Sequence, residues 1–296
     1  MTTDIRAENA SLYDNIRWNA LETAIWNRAI KSAFVFFREH KLEPILIKGW
    51  AIAGFYPPGK RRPFVDIDLA FSAVDFGSAK AVYESNETGI NAIDLHRELR
   101  NLDTLRWTDL FDNSQLIDLD GVSVRILRPE DHLRVLSTHW LNDGGASKDR
   151  LWDIYYAVSN RPTDFDWDRC LNVVSQTRRR WVVSSIGLAH KYLDLFIDDL
   201  PFADEARSLP LWLTRAVERE WASEVHLIDI NFLHRDPIQL LKQIKKRIPP
   251  NPIEATIEMD GDFDAVTRVH YQIGSFFKRV LPSVKRLSKT LYRSDK

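Results

Sequence analysis

The chain of 296 residues is 44% hydrophobic and 28% charged, enough apolar material for one large or two modest cores, so it reads as globular. Its formal net charge of -1 gives no global attraction for nucleic acid or membrane, and an anionic partner has to be met by a local patch. The single cysteine, Cys170, excludes an internal disulfide and a multi-cysteine metal site and suits a reducing cytoplasm; no apolar run reaches bilayer length, and the opening MTTDIRAENASLYDN is too polar and acidic for a signal peptide.

In chain order, SLYDNIRWNALETAIWNRAIKSAFVFFREH spaces Leu12, Ile16, Leu21, Ile25, Ile30 and Phe34 mostly at helical steps and predicts one or two amphipathic helices. EPILIKG is a short strand ending at a glycine, and WAIAGFY is a helix that the prolines of PPGKRRP must stop. VDIDLAF is a second strand. SAVDFGSAKAVYESN is a helix with Ser72 as its N-cap, ETG turns the chain, and NAIDLHREL is a third strand candidate. After a helix around LRWTDLFDN, SQLIDLDGVSVRIL predicts a hairpin turning at Asp120 and Gly121.

From RPEDHLRVLSTHW onward only helical periodicity remains, with Pro129 suited to a first helical position. The boundary falls near Leu127 to Pro129, giving a domain over 1–128 and a helical domain over 129–296. The PPNP cluster at 249–252 is a second break, followed by a linker containing the acidic EMDGDFD and by the basic FFKRVLPSVKRLSKTLYRSDK. That basic segment repeats apolar residues at near-helical steps, so it either packs on its own helices or meets an anionic partner, a membrane surface or a nucleic acid. Trp140, Trp152, Trp181 and Trp212 read as packing residues of the helical part.

The chemistry lies in VDIDLAF. In an extended chain Asp66 and Asp68 point to one face while Val65, Ile67 and Leu69 point to the other, and two carboxylates that close need a cation. Magnesium commonly takes one or two carboxylates plus substrate phosphates, and a third carboxylate completes a two-ion site. Asp94, which alternates with Ile93 and Leu95, is the candidate, with His96 on its own side. Phosphates need the opposite chemistry. Gly49, with the helix expected from about Trp50, offers free backbone N–H groups; Lys48, Lys60, Arg61 and Arg62 add positive charge.

The order of strand, glycine, helix, basic turn and acid-bearing strand resembles the polymerase-β-like nucleotidyltransferase superfamily. More closely, it is similar to a largely uncharacterised bacterial nucleotidyltransferase family. The residues concerned are ILIKG at 45–49, RPFVDIDL at 62–69, IDLH at 93–96 and VRILRPEDHL at 124–133 with His139 and Asp153 downstream. The resemblance implies an α+β fold, a small mixed β-sheet nucleotidyltransferase core with flanking helices followed by an all-α C-terminal domain. It implies Asp66, Asp68 and Asp94 as catalytic metal ligands for two Mg²⁺ ions, and Lys48, Gly49, Trp50 and Arg62 at the NTP. The reaction implied is transfer of an NMP to a hydroxyl acceptor, a small molecule, a peptide or RNA, with release of pyrophosphate. A toxin-like RNA nucleotidyltransferase and a non-catalytic nucleotide-sensing module that retains the fold are the alternatives.

Overall fold

The computed structural model describes residues 3–58, 60, 62–85, 92–225, 227 and 237–279, with side chains from residue 20 onward. The protein is mixed α/β. Contacts divide it into two units, Met1–His132 with Asn160–Asp166 and Leu133–Ser159 with Trp167–Lys296.

The first unit holds one five-stranded mixed sheet. Its strands are β1 (Ile45–Ile47), β2 (Ile67–Phe71), β3 (Ile93–Arg97), β4 (Gln115–Leu119) and β5 (Val122–Ile126), and its helices are α1 (Thr3–Glu39), α2 (Gly49–Ala53), α3 (Phe76–Glu84) and α4 (Trp107–Asp112). The strand order is β3-β2-β1-β5-β4; β1 runs antiparallel to β2 and parallel to β5, and β2 runs parallel to β3. Ile30, Ala33, Phe34 and Phe37 of α1 are completely buried and share a core with Leu46, Ile67, Leu69, Phe71 and Val124 of the sheet. The Phe37 and Phe71 rings meet edge to face, 4.8 Å apart. The hairpin forms as the Asp-Gly pair dictates: β4 and β5 pair antiparallel, and Asp120 and Gly121 take φ of 47° and 83°, the left-handed backbone that a two-residue turn needs.

Three local expectations are corrected. Ser72 does not cap α3; Asp75 holds that position, and the Ser72 hydroxyl donates to Asp75 Oδ2 at 2.7 Å, closing a turn one step earlier. Val65 is 81% exposed and not part of the core strand, because β2 starts only at Ile67. Asp66 therefore stands at a bend before the strand. The ladder gives the reason: β1 is three residues long and its pairing with β2 ends at Ile47–Asp68, so the chain before Ile67 has no β1 neighbour to keep it extended.

In the second unit the described elements are helices. Helix α5 (Pro129–Asn142) begins at the expected proline; then come α6 (Lys148–Ser159), α7 (Trp167–Leu171), α8 (Gln176–Leu193), α9 (Ala203–Arg207), α10 (Leu211–Trp221), α11 (Pro237–Arg247) and α12 (Pro252–Glu258). Residues 269–279 are also helical. Trp140 and Trp181 are buried in its core, as is Cys170, and Trp212 donates its indole N–H to the Phe263 carbonyl at 2.8 Å. The stretch after PPNP is not a linker: Asn251 caps α12 through the Ile253 N–H at 2.8 Å, and Ile253, Ala255, Ile257 and Phe263 are buried. Proline there opens a helix as readily as it breaks one. At the start of the basic segment, Arg279 pairs with Glu254 at 2.8 Å and with Glu258 at 2.9 Å, so these residues dock on α12; residues 280–296, like the 87–89 turn and Arg61, lie outside the described residues. No helix among the described residues is long and apolar enough to cross a membrane.

Candidate functional site

The parallel register of β2 and β3 sets Asp68 opposite Asp94 and Ala70 opposite His96. Side chains opposite one another in a parallel pair leave the sheet on the same side, and Asp94 and His96, two residues apart, share that face. Ligand atoms of Asp68, Asp94 and His96 accordingly lie within 4.8 Å of one another. His96 Nε2 stands between the two acids, 2.8 Å from Asp68 Oδ1 and 3.1 Å from Asp94 Oδ2. Asp68 is 5% exposed, whereas the Asp94 side chain is 57% exposed, so the group has a buried inner end and an open outer one.

The inner end is electrically closed. Lys48 Nζ lies 2.8 Å from Asp68 Oδ1, the oxygen that His96 also reaches. Burial works to raise the Asp68 pKa, but the hydrogen bond from His96 and the Lys48 ammonium outweigh it and hold the carboxyl below the ordinary carboxylate value. Lys48, expected at the phosphates, is thus also an ion-pair partner of Asp68. Its backbone is also unusual, with φ of 53°, and its N–H donates to His132 Nε2 at 3.1 Å. His132 is completely buried at the start of α5, and burial, aided by the Arg62 charge, lowers its pKa to about 3. The neutral ring accepts from Lys48 through Nε2, so its proton sits on Nδ1, which has no hydrogen-bond partner among the described residues.

Gly49 follows with φ of 36°. A Cβ here would make only ordinary contacts, with the Asp66 carbonyl at 3.5 Å, Phe64 Cβ at 3.8 Å and Asp68 Oδ2 at 3.9 Å, so it is the left-handed backbone and not crowding that favours glycine where the α2 start lies against the acidic strand. Helix α2 has only five residues, which leaves free N–H groups and not a long dipole as its attraction for anions.

The other expected residues separate. Asp66 is half-buried outside β2 and does not belong to the three-ligand group. Trp50 turns its indole toward α1, donating to Asn27 Oδ1 at 2.8 Å. Arg62 contacts the Pro63 carbonyl at 3.4 Å and, with Lys60, Trp50, Trp26 and Phe64, lines a cavity of about 580 Å³. Trp26 and Phe64 stand with ring centroids 4.9 Å apart. Sequence reasoning missed His132, Trp26, Asn27 and Phe64; His96 had a readable signal, because D-x-H in β3 repeats the two-residue spacing of D-x-D. Glu130 of the PED motif is structural, pairing with Arg128 at 3.2 Å and accepting the Asp166 N–H at 3.0 Å.

Two carboxylates and one imidazole are a donor set that fits a divalent cation, and imidazole broadens the choice beyond magnesium to metals that accept nitrogen. No protein-family model, curated protein or solved structure matches the chain.

Proposed function

We propose that this protein is a divalent-metal-dependent nucleotidyltransferase, with a small mixed-sheet catalytic core followed by an all-α C-terminal domain, moving an NMP from an NTP to a hydroxyl acceptor with release of pyrophosphate. The observation that carries the proposal is the convergence of Asp68, Asp94 and His96 beside the Lys48–Gly49 helix start. Asp68 and Asp94 would hold the metal, magnesium or manganese, with His96 as third ligand or as the hydrogen-bond donor that orients Asp68. When bound, the metal lowers the pKa of a coordinated hydroxyl and neutralises phosphate charge.

The chain's own residues do the positioning. Asp68, held by Lys48 and His96, is fixed before substrate arrives, which limits reorganisation during transfer. Lys48, once a metal shares the Asp68 carboxylate, has an ammonium group to offer a phosphate. Gly49 and the free N–H groups of α2 meet the phosphates without a side chain in the way. The cavity of Trp26, Trp50 and Phe64, with Lys60 and Arg62 also lining it, suits a flat neutral ring joined to a negatively charged phosphate group.

The test is incubation with each labelled NTP, magnesium or manganese, and fractionated lysate as acceptor source. Transfer of label by the wild type, lost in Asp68→Asn and Asp94→Asn, is the expected result. No transfer with any nucleotide and metal, or retention of activity in both variants, overturns the proposal.

A further inference from the structure

A separate cavity of about 610 Å³ lies within the second unit, and among the described residues that line it the charge is almost entirely of one sign. Arg215 and Arg219 reach it from α10, Lys245 and Lys246 from α11, and Arg268 from the segment before the last described helix, against the single carboxylate, Glu220, among the described lining residues. That carboxylate is already taken, 2.9 Å from Lys246 Nζ and accepting from Asn251 Nδ2 at 3.4 Å. Arg268 is also committed, donating to the carbonyls of Asp262 and Ala265 with its guanidinium 4.6 Å from the Trp212 ring centre. Arg215, Arg219 and Lys245 are different: all three are exposed, and among the described residues none makes a hydrogen bond or an ion pair.

Two of these cations stand four residues apart on one helix face, a like-charge spacing that weakens a helix. A chain with 42 acidic residues against 41 basic ones has ample carboxylate to neutralise them, yet among the described residues Glu220 is the one acid that lines the cavity. We infer that this cavity binds a phosphate-rich anion, either the polyphosphate group of a small molecule or the backbone of an RNA strand. Guanidinium forks match phosphate oxygens in pairs, and three free cations ask for a ligand with several negative charges close together, which a single carboxylate does not provide. The volume is in the range of small-ligand sites, and Pro249, Pro250 and Pro252 make part of the wall stiff.

The experiment uses the full chain and two probes, inorganic triphosphate by isothermal titration and a labelled short single-stranded RNA by fluorescence anisotropy. The variant carries Arg215→Gln, Arg219→Gln and Lys245→Gln; Lys242→Gln, an exposed cation of α11 outside the cavity, is the control. Binding of either probe that weakens at least about tenfold in the triple variant and is unchanged in the control is expected, with the salt dependence of RNA binding falling by roughly two in slope. RNA that binds and is displaced by triphosphate identifies a strand; triphosphate that binds where RNA does not identifies a small molecule. Failure of both probes to bind the wild type, or equal binding by the triple variant, overturns the inference. None of the described lining residues belongs to the first unit, so either failure leaves the proposed nucleotidyl transfer standing.

Discussion

The acid of β2 and the cations of α10 and α11 treat charge in opposite ways. Asp68 is buried, and its carboxylate is met by donors: Lys48 and His96 reach the same oxygen at 2.8 Å. Arg215, Arg219 and Lys245 are exposed and have no partner among the described residues. A charge removed from water must be compensated within the fold, whereas water compensates an exposed one at little cost. Structure and recognition are therefore coupled at Asp68, where a ligand would have to compete with the protein's own cations, whereas in the basic cavity it would compete only with solvent.

Removing Asp68 should show that coupling most strongly. Asp68→Asn leaves the nearly buried Lys48 ammonium without its counter-charge, and a loss of about 3 kcal/mol is expected on breaking such a pair, measured by urea unfolding alongside an assay of the proposed transfer activity. From D-x-D alone, neutralising one acid would relieve repulsion; a more stable Asn variant would mean that this repulsion outweighs the attraction between Asp68 and Lys48.

Acid should act through the same corner of the molecule. His132 has a folded pKa of about 3, below that of the unfolded chain, so its contribution is complete above pH about 6.5 and is lost as pH falls toward 3. Asp68, also lowered, adds a loss at the acid end of that window. The expected cost at pH 4 is on the order of 3 kcal/mol relative to pH 7. His132→Phe, which carries no titrating proton, should flatten the melting temperature against pH between 6.5 and about 4, at the expense of the Lys48 N–H contact at neutral pH. An unchanged slope would show that other groups set the acid limit.

A steric change in the second unit should come next in size. A Cβ on Gly187 of α8 would fall 2.0 Å from the Ala206 carbonyl, so Gly187→Ala has to push α8 and α9 apart and should cost about 2 kcal/mol or more by thermal melting. Gly121→Ala is the contrast: its Cβ meets nothing within 4 Å, leaving only the strain of φ 83°, about 1 kcal/mol. The smallest effect belongs to the basic cavity, where the triple glutamine variant should remain within about 0.5 kcal/mol of wild type or gain slightly, since no internal pair is lost. A large loss there would make the cations structural and would erase the contrast with Asp68.

Much of this molecule follows from local sequence. The Asp120–Gly121 pair can adopt left-handed backbone and so makes a hairpin; Pro129 has no N–H to satisfy and so opens α5; the alternation of Ile93, Asp94, Leu95 and His96 puts the polar pair on one face of β3 whatever the rest of the chain does. Other features are set by partners far away in sequence. Whether Asp66 belongs to β2 depends on where the three residues of β1 stop pairing, the pairing of Lys48 with Asp68 depends on the packing of the α2 start against the sheet, and whether PPNP breaks or opens a helix depends on a core for Ile253 and Ile257. His132 had no sequence signal, since its neutrality comes from complete burial and from accepting the Lys48 N–H across the fold. Turn chemistry and side-chain alternation are properties of a few adjacent residues, so the hairpin and the two-residue spacing of the polar groups on β3 can be read directly from the chain. Charge compensation is a property of groups brought together from distant positions, so the meeting of Lys48 and His96 at Asp68 arises only in the folded protein.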